Sequence, residues 1–187
     1  MNQPADLSAG EHPQSPSLSV PLADTIDHAL RRLGEAFAWL FVILMLVILL
    51  QVVLRRGFSA GQIALEELQW HLYGIGVLIG AVYAQAANTH VRVDIFHAHF
   101  SRAWQYRIEI IGLLVLLLPF LGLVLFHGLE LVQEAWRISE RSLAPAGLPW
   151  RWLIKSMIPL TTVLLIIAAL NRIYRDLTLL RRCRREL

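Results

Sequence analysis

The sequence predicts an all-α integral membrane protein. It has four transmembrane helices, both termini inside (N-in/C-in), and short amphipathic helices at the interface. Three observations carry this prediction. Apolar residues make up 56% of the chain and mean hydropathy is +0.54, both well above an ordinary soluble domain. Four charge-poor runs each approach the roughly 20 residues that a helix needs to cross a hydrocarbon core of about 30 Å. Base, finally, is shared unevenly among the connectors, which orients the spans.

Residues 1–20 are rich in Pro, Ser and small polar residues and read as a disordered N-terminus. They lack the basic start of a signal peptide, and no small-residue cleavage site follows the first apolar run, so that run is expected to be an uncleaved anchor. Over 21–35, Leu22, Ile26, Ala29, Leu30 and Leu33 recur at helical spacing, with Asp24, Asp27, Arg31 and Arg32 opposite. This pattern predicts an amphipathic lead-in helix at the membrane surface. The four-helix membrane domain follows over 36–173.

The first span, 36–54, is free of charge and ends at Arg55 and Arg56. Ser59 and Gln62 suit a capping box for the next helix. Glu66 and Glu67 then fall in its early turns, where the positive end of the helix dipole favours carboxylates. The second span, 68–87, carries Gly76, Gly80 and Ala84 at intervals of four. Small residues at that spacing line one face and admit a close neighbour.

A polar connector over 88–107 holds Arg92, Asp94, Arg102 and Arg107. Ser101 is a suitable N-cap for the third helix, whose apolar part is 108–129. Pro119 lacks a backbone donor and is expected to bend that helix. The helix should continue through Glu130, Glu134 and Trp136 until the SLAPAGLP segment breaks it. The fourth span is 153–173, with Lys155 long enough to snorkel outward, and 174–187 is a basic tail. Trp136, Trp150 and Trp152 gather on one side, as an interfacial aromatic belt does.

Counting base sets the orientation. The face holding both termini and the 88–107 connector has eleven arginines, and the opposite face has six basic residues. The excess places both termini in the cytoplasm. Six arginines fall in the last sixteen residues, directly after an apolar span, which suits an anionic lipid surface and not nucleic acid.

The chemistry that composition excludes is broad. Cys183 is the one cysteine, so intrachain disulfides, CxxC pairs and cysteine-based zinc sites are impossible. Walker A, GxGxxG and HExxH patterns are absent together, which argues against an enzyme. His90, His97 and His99 share one connector, but no carboxylate or thiol of metal-ligand spacing completes a site, and they read as solvated. No cofactor and no metal is expected on this reading. His71 and His127 fall at similar depth in antiparallel spans, and an alternative is therefore a b-type haem between them in a redox membrane anchor. The span centres hold essentially no ionisable residue, so a proton or ion relay through these helices alone is not expected.

Several pieces then occur in a telling order. A first span ends in arginine, EELQW (66–70) opens the second, GAVYA (80–84) follows, and HVRVD (90–94) closes it. LLPF (117–120), GLP (147–149) and IPL (158–160) come after. In these pieces the chain resembles the DctQ-type small membrane subunit of tripartite ATP-independent periplasmic (TRAP) transporters, over about Arg31 to Arg172. It departs in its long N-terminal extension and in Arg56-Gly57, where the family usually has an arginine followed by an aromatic.

The resemblance implies a subunit of the bacterial inner membrane. A periplasmic binding protein would capture a small organic acid, and a large M-type membrane subunit would carry substrate and coupling sodium. The small subunit would support that partner. Glu66, Glu67, Trp70, Gly76, Gly80, Ala84, His90, Arg92 and Asp94 are then the candidate assembly residues. Asp94 is suited to cap a short interfacial helix containing Ile95, Phe96 and Phe100.

Overall fold

The computed structural model describes residues 20–58, 61–87, 102–144 and 147–185, and every regular element among them is a helix. Ser59 and Ser101, the expected caps, and the whole HVRVD segment lie outside the described residues.

α1 is Pro21–Gly57. Proline at the first helical position costs nothing, since its missing N–H would have no intrahelical partner there. Arg55 and Arg56 sit in the last turn, where they complement the carbonyl end of the dipole. The expected lead-in and first span are thus one continuous helix. Nothing between residues 33 and 37 interrupts it except Gly34, which keeps helical geometry and serves a contact instead.

α2 is Ile63–Ala87. The third apolar run forms α3 (Arg102–Gly112), a π-helical segment (Leu113–Leu117) and α4 (Leu118–Arg137). The wider turn stands directly before Pro119, the position where a bend was expected. Proline has no N–H to give and its ring crowds the carbonyl four residues back. The Leu118 N–H reaches Leu113 O, five residues back, so the extra residue is taken up one turn ahead of the ring.

α4 ends in a Schellman turn: Ser139 N–H donates to Trp136 O at 3.0 Å and Glu140 N–H to Ala135 O at 2.9 Å. Ser139 stands in the left-handed position at φ 48°, where glycine is the usual occupant. α5, Arg151–Arg185, continues through the expected basic tail as helix.

α5 organises the packing. α1, α2, α3, the π segment and α4 all lie against it, and α1 also pairs closely with α2. The buried cluster between α1, α2 and α5 is Leu30, Val82, Ala86 and Ala168, with Ile26, Leu164 and Leu165 around it. The two alanines let these helices approach closely. At the α4–α5 crossing, a methyl group on Gly128 would sit 3.5 Å from both Ile158 Cγ2 and Pro159 Cδ.

Among the described residues, three helices are long and apolar enough to cross a membrane: Pro21–Gly57, Trp104–Arg137 and Arg151–Arg181. α2, expected as the second span, is not among them. Glu66, Glu67, Gln69 and His71 in its opening turns, with Gln85 near its end, dilute its apolar character. Only 11%, 6% and 28% of the three apolar windows is buried. Most of this apolar surface therefore faces outward, and only lipid or another membrane protein could cover so much of it.

Candidate functional site

Polar contacts concentrate at the two ends of the molecule. At the end carrying the start of α1, Arg31 donates from Nε and Nη2 to Ala86 O at 3.2 and 3.0 Å, tying α1 to the last turn of α2. Asn171 Nδ2 donates to Ala23 O at 3.0 Å and to Asp27 Oδ1 at 2.8 Å. Arg175 pairs with Asp24 and, at 3.1 Å, with Asp27. Arg172 pairs with Glu109 at 3.0 Å and with the buried Asp176 at 3.3 Å. The start of α1, the end of α2, the α3 part of the third helical run and the end of α5 are joined here, so successive helical runs, with α3 to α4 counted as one, are antiparallel.

At the opposite end, Gln51 Nε2 donates to Glu66 Oε1 at 3.2 Å and Arg55 lies 3.9 Å from the same oxygen. Glu67 accepts a hydrogen bond from the Ser142 hydroxyl, and its other oxygen accepts the Leu148 N–H at 2.6 Å. The connector after α4 is thereby fastened to the start of α2. Glu140 binds Lys155 and, at 3.6 Å, Arg151, fastening the same connector to α5.

Between the two ends, residues 36–54, 68–87, 110–129 and 156–170 carry no Asp, Glu, Lys or Arg. Thr161 and Thr162 are buried there, but their hydroxyls donate to carbonyls on their own helix, Thr161 to Met157 O at 2.7 Å and Thr162 to Ile158 O at 2.7 Å. They have no spare donor for a passing solute.

The candidate assembly residues separate by environment. Glu66 and Glu67 are engaged as described, and Trp70 is exposed beside Gln51, Arg55 and Gln69. Gly76 is buried, and a Cβ there would stand 2.7 Å from Phe41 Cζ on α1. Gly80 is exposed, with nothing within 4 Å of the same position, and Ala84 is half-buried. The face of α2 used within the chain is Gly76, Ile79, Val82 and Ala86. The small-residue stripe is therefore divided: Gly76 is closed over by α1, whereas Gly80 borders an open groove beside Gly34 and Phe37. His90, Arg92 and Asp94 lie outside the described residues.

The haem arrangement is not assembled. His71 lines an apolar pocket between α2 and the start of α5, whereas His127 is exposed on α4 and bonds to Glu130 at 3.1 Å. α4 packs on α5 and not on the face of α2 that holds His71, so the two rings share no pocket.

Residues whose contacts sequence reasoning did not supply include Gly34, Gln51, Asp24, Asp27, Asn171 and Arg175. The signal for the last four was present: polar residues three and four apart near helix ends share a face. Such a face suits water and a partner helix equally, which hid its role.

Glu67 yields a pH prediction. Its carboxyl lies below the ordinary 4.5, chiefly because Ser142 donates to it and secondly because the Leu148 N–H does. A depressed folded value stabilises docking above the unfolded value and withdraws that support as pH falls through the folded one. Fluorescence of the nearby Trp150 and Trp152 should stay constant from pH 8 to about 5 and shift only below 4.5. Glu67→Ala should show the shifted spectrum at every pH; a wild-type-like titration in that variant would refute the assignment.

A family model described as "Tripartite ATP-independent periplasmic transporters, DctQ component" matches residues 44–179, from the middle of α1 to within a few residues of the end of α5. A search of curated proteins returned no match.

Proposed function

The chain belongs to the DctQ component family of tripartite ATP-independent periplasmic transporters, and from that premise we propose that it supports a large M-type membrane subunit in ion-gradient-driven uptake of a small organic acid. A periplasmic binding protein delivers the substrate, the complex sits in the bacterial inner membrane, and this chain is non-catalytic and binds no cofactor. The family match over 44–179 carries the reading. The apolar stretches free of Asp, Glu, Lys and Arg support it, because a carrier with alternating access needs polar groups or broken helices at the midplane.

In this reading α2 is a fourth span, crossing the bilayer with one face sheltered by α1 and α5. The end with Asp24 and Arg175 is cytoplasmic and the end with Glu67 is periplasmic, as the arginine excess favours. Gly80 and Trp70 are presented to the partner, and His90, Arg92 and Asp94 dock at the cytoplasmic edge.

Liposomes containing this chain, the large subunit and the binding protein should accumulate substrate under an inward sodium gradient without ATP. This chain alone should stay at background leak. Saturable uptake by the isolated chain, or a requirement for ATP in the full system, would overturn the proposal. Orientation is tested with Cys183 replaced. An impermeant thiol reagent applied to intact cells should modify Phe58→Cys and spare His28→Cys, and the reverse pattern would invert the topology.

A further inference from the structure

Two cavities meet at Trp150 on the end of the molecule that carries Glu67. One, of about 400 Å³, is walled by Trp136, Trp150 and Trp152 with Glu140 and Arg141. The other, of about 490 Å³, is apolar: Leu72, Ile75, Ile154 and Met157 line it, and His71 is the one titratable group in its wall. Trp150 divides them from a left-handed backbone position, φ 63°, which a bulky residue occupies only when its surroundings hold it there.

The charge at the aromatic cavity is unbalanced. Arg141, Arg151 and Lys155 surround Glu140, whose single carboxylate is shared between Arg151 and Lys155. Glu67, nearby, is turned onto Ser142 and the Leu148 N–H, and Glu134 is held by Arg137 at 2.8 Å. Base therefore remains in excess with all of these acids counted. The Trp136 and Trp152 rings, 4.4 Å apart and edge to face, mark the depth of the membrane interface, where amphipathic rings settle.

We propose that these two cavities form one site for an anionic phospholipid, its phosphate at Arg141 among the tryptophans and one acyl chain in the apolar cavity. An amphiphile matches the pairing of a cationic, aromatic mouth with an apolar slot beside it. A wholly apolar ligand would leave the excess base unanswered, and a soluble anion would leave the slot empty. The bound lipid would extend the wedge of α2, α5 and the 138–150 connector, so the site belongs to this chain and not to a transport pathway. It rests on the membrane placement of the chain and on nothing about substrate.

The test uses the full chain purified in mild detergent and offered equal amounts of phosphatidylglycerol and phosphatidylcholine of the same acyl composition. Bound lipid is counted by native mass spectrometry. Wild type should retain phosphatidylglycerol several-fold over phosphatidylcholine. Arg141→Gln, at an exposed position, should reduce that preference to near parity with elution and helicity unchanged. Ile75→Trp, which fills the apolar cavity, should lower retention of both lipids. Equal retention of the two lipids by wild type, or unchanged counts in both variants, would overturn the site. Loss of the lipid on assembly with the large subunit would also overturn it, because the occupant would then be a segment of that partner.

Discussion

Gly34→Ala should destabilise the subunit, although alanine is the better helix former. The added Cβ would stand 2.7 Å from Tyr83 Cβ and 2.8 Å from Cδ2. A Cβ is fixed to backbone and cannot swing aside, so α1 and α2 must separate. Alanine gains up to about 1 kcal/mol of helix propensity over glycine. Overpacking a tight contact costs about 1–3 kcal/mol, and the contact should win. Gly80→Ala is the matched control, because nothing lies within 4 Å of its Cβ position and only the propensity gain applies. Thermal midpoints in detergent, read by fluorescence-detected size exclusion, should fall for Gly34→Ala and hold or rise for Gly80→Ala. Gly34→Leu should abolish co-purification with the large subunit. Equal midpoints for the two alanine variants would show that the α1–α2 crossing tolerates a side chain at residue 34.

Arg172→Met should cost more. Asp176 is 1% exposed, and Arg172 pairs with it at 3.3 Å while holding Glu109 at 3.0 Å. Removing one partner of a buried pair leaves the other charge poorly compensated, at about 3–5 kcal/mol. In Arg172→Met the α3–α5 contact also loses its ion pair. Adding Asp176→Asn removes a buried charge that has lost its arginine, so the double variant should recover part of the loss; that non-additivity separates the ion pair from simple loss of the arginine stem. A single variant as stable as wild type, or a double variant showing the plain sum of the two losses, would mean that this pair does not hold α5 in place.

The connector at the other end teaches a related lesson about what a sequence conceals. Glu67 was legible as a helix-start carboxylate, and that explanation was sufficient in itself. Its bonds to Ser142 and Leu148 reach 75 and 81 positions along the chain. No local pattern carries such a partner. Gln51 is similar: one amide near the end of an apolar run looks incidental until Glu66 is found across the turn. The divided stripe on α2 has another cause. Glycines spaced by four fall on one side of a helix, but α1 closes on that side only at Gly76 and Tyr83 and leaves Gly80 bordering an open groove between them.

Length, apolar runs, terminal arginines and the order of short pieces were enough to determine an all-helical membrane chain and its family. Those properties depend on one residue or one run at a time. Hydrocarbon length sets run length, the dipole and the leaflet charge place the arginines, and Pro119 perturbs its helix wherever that helix packs. Which faces meet was decided only in three dimensions. Lipid tails are as apolar as a neighbouring helix, so periodicity cannot tell an outward leucine from an inward one. The choice fell to Gly34 under Tyr83, Gly76 under Phe41 and Gly128 beside Pro159, and to ion pairs that join residues 24 and 175 across 151 positions. Steric fit and long-range charge pairing belong to pairs of residues, and a single sequence presents its residues without their pairs.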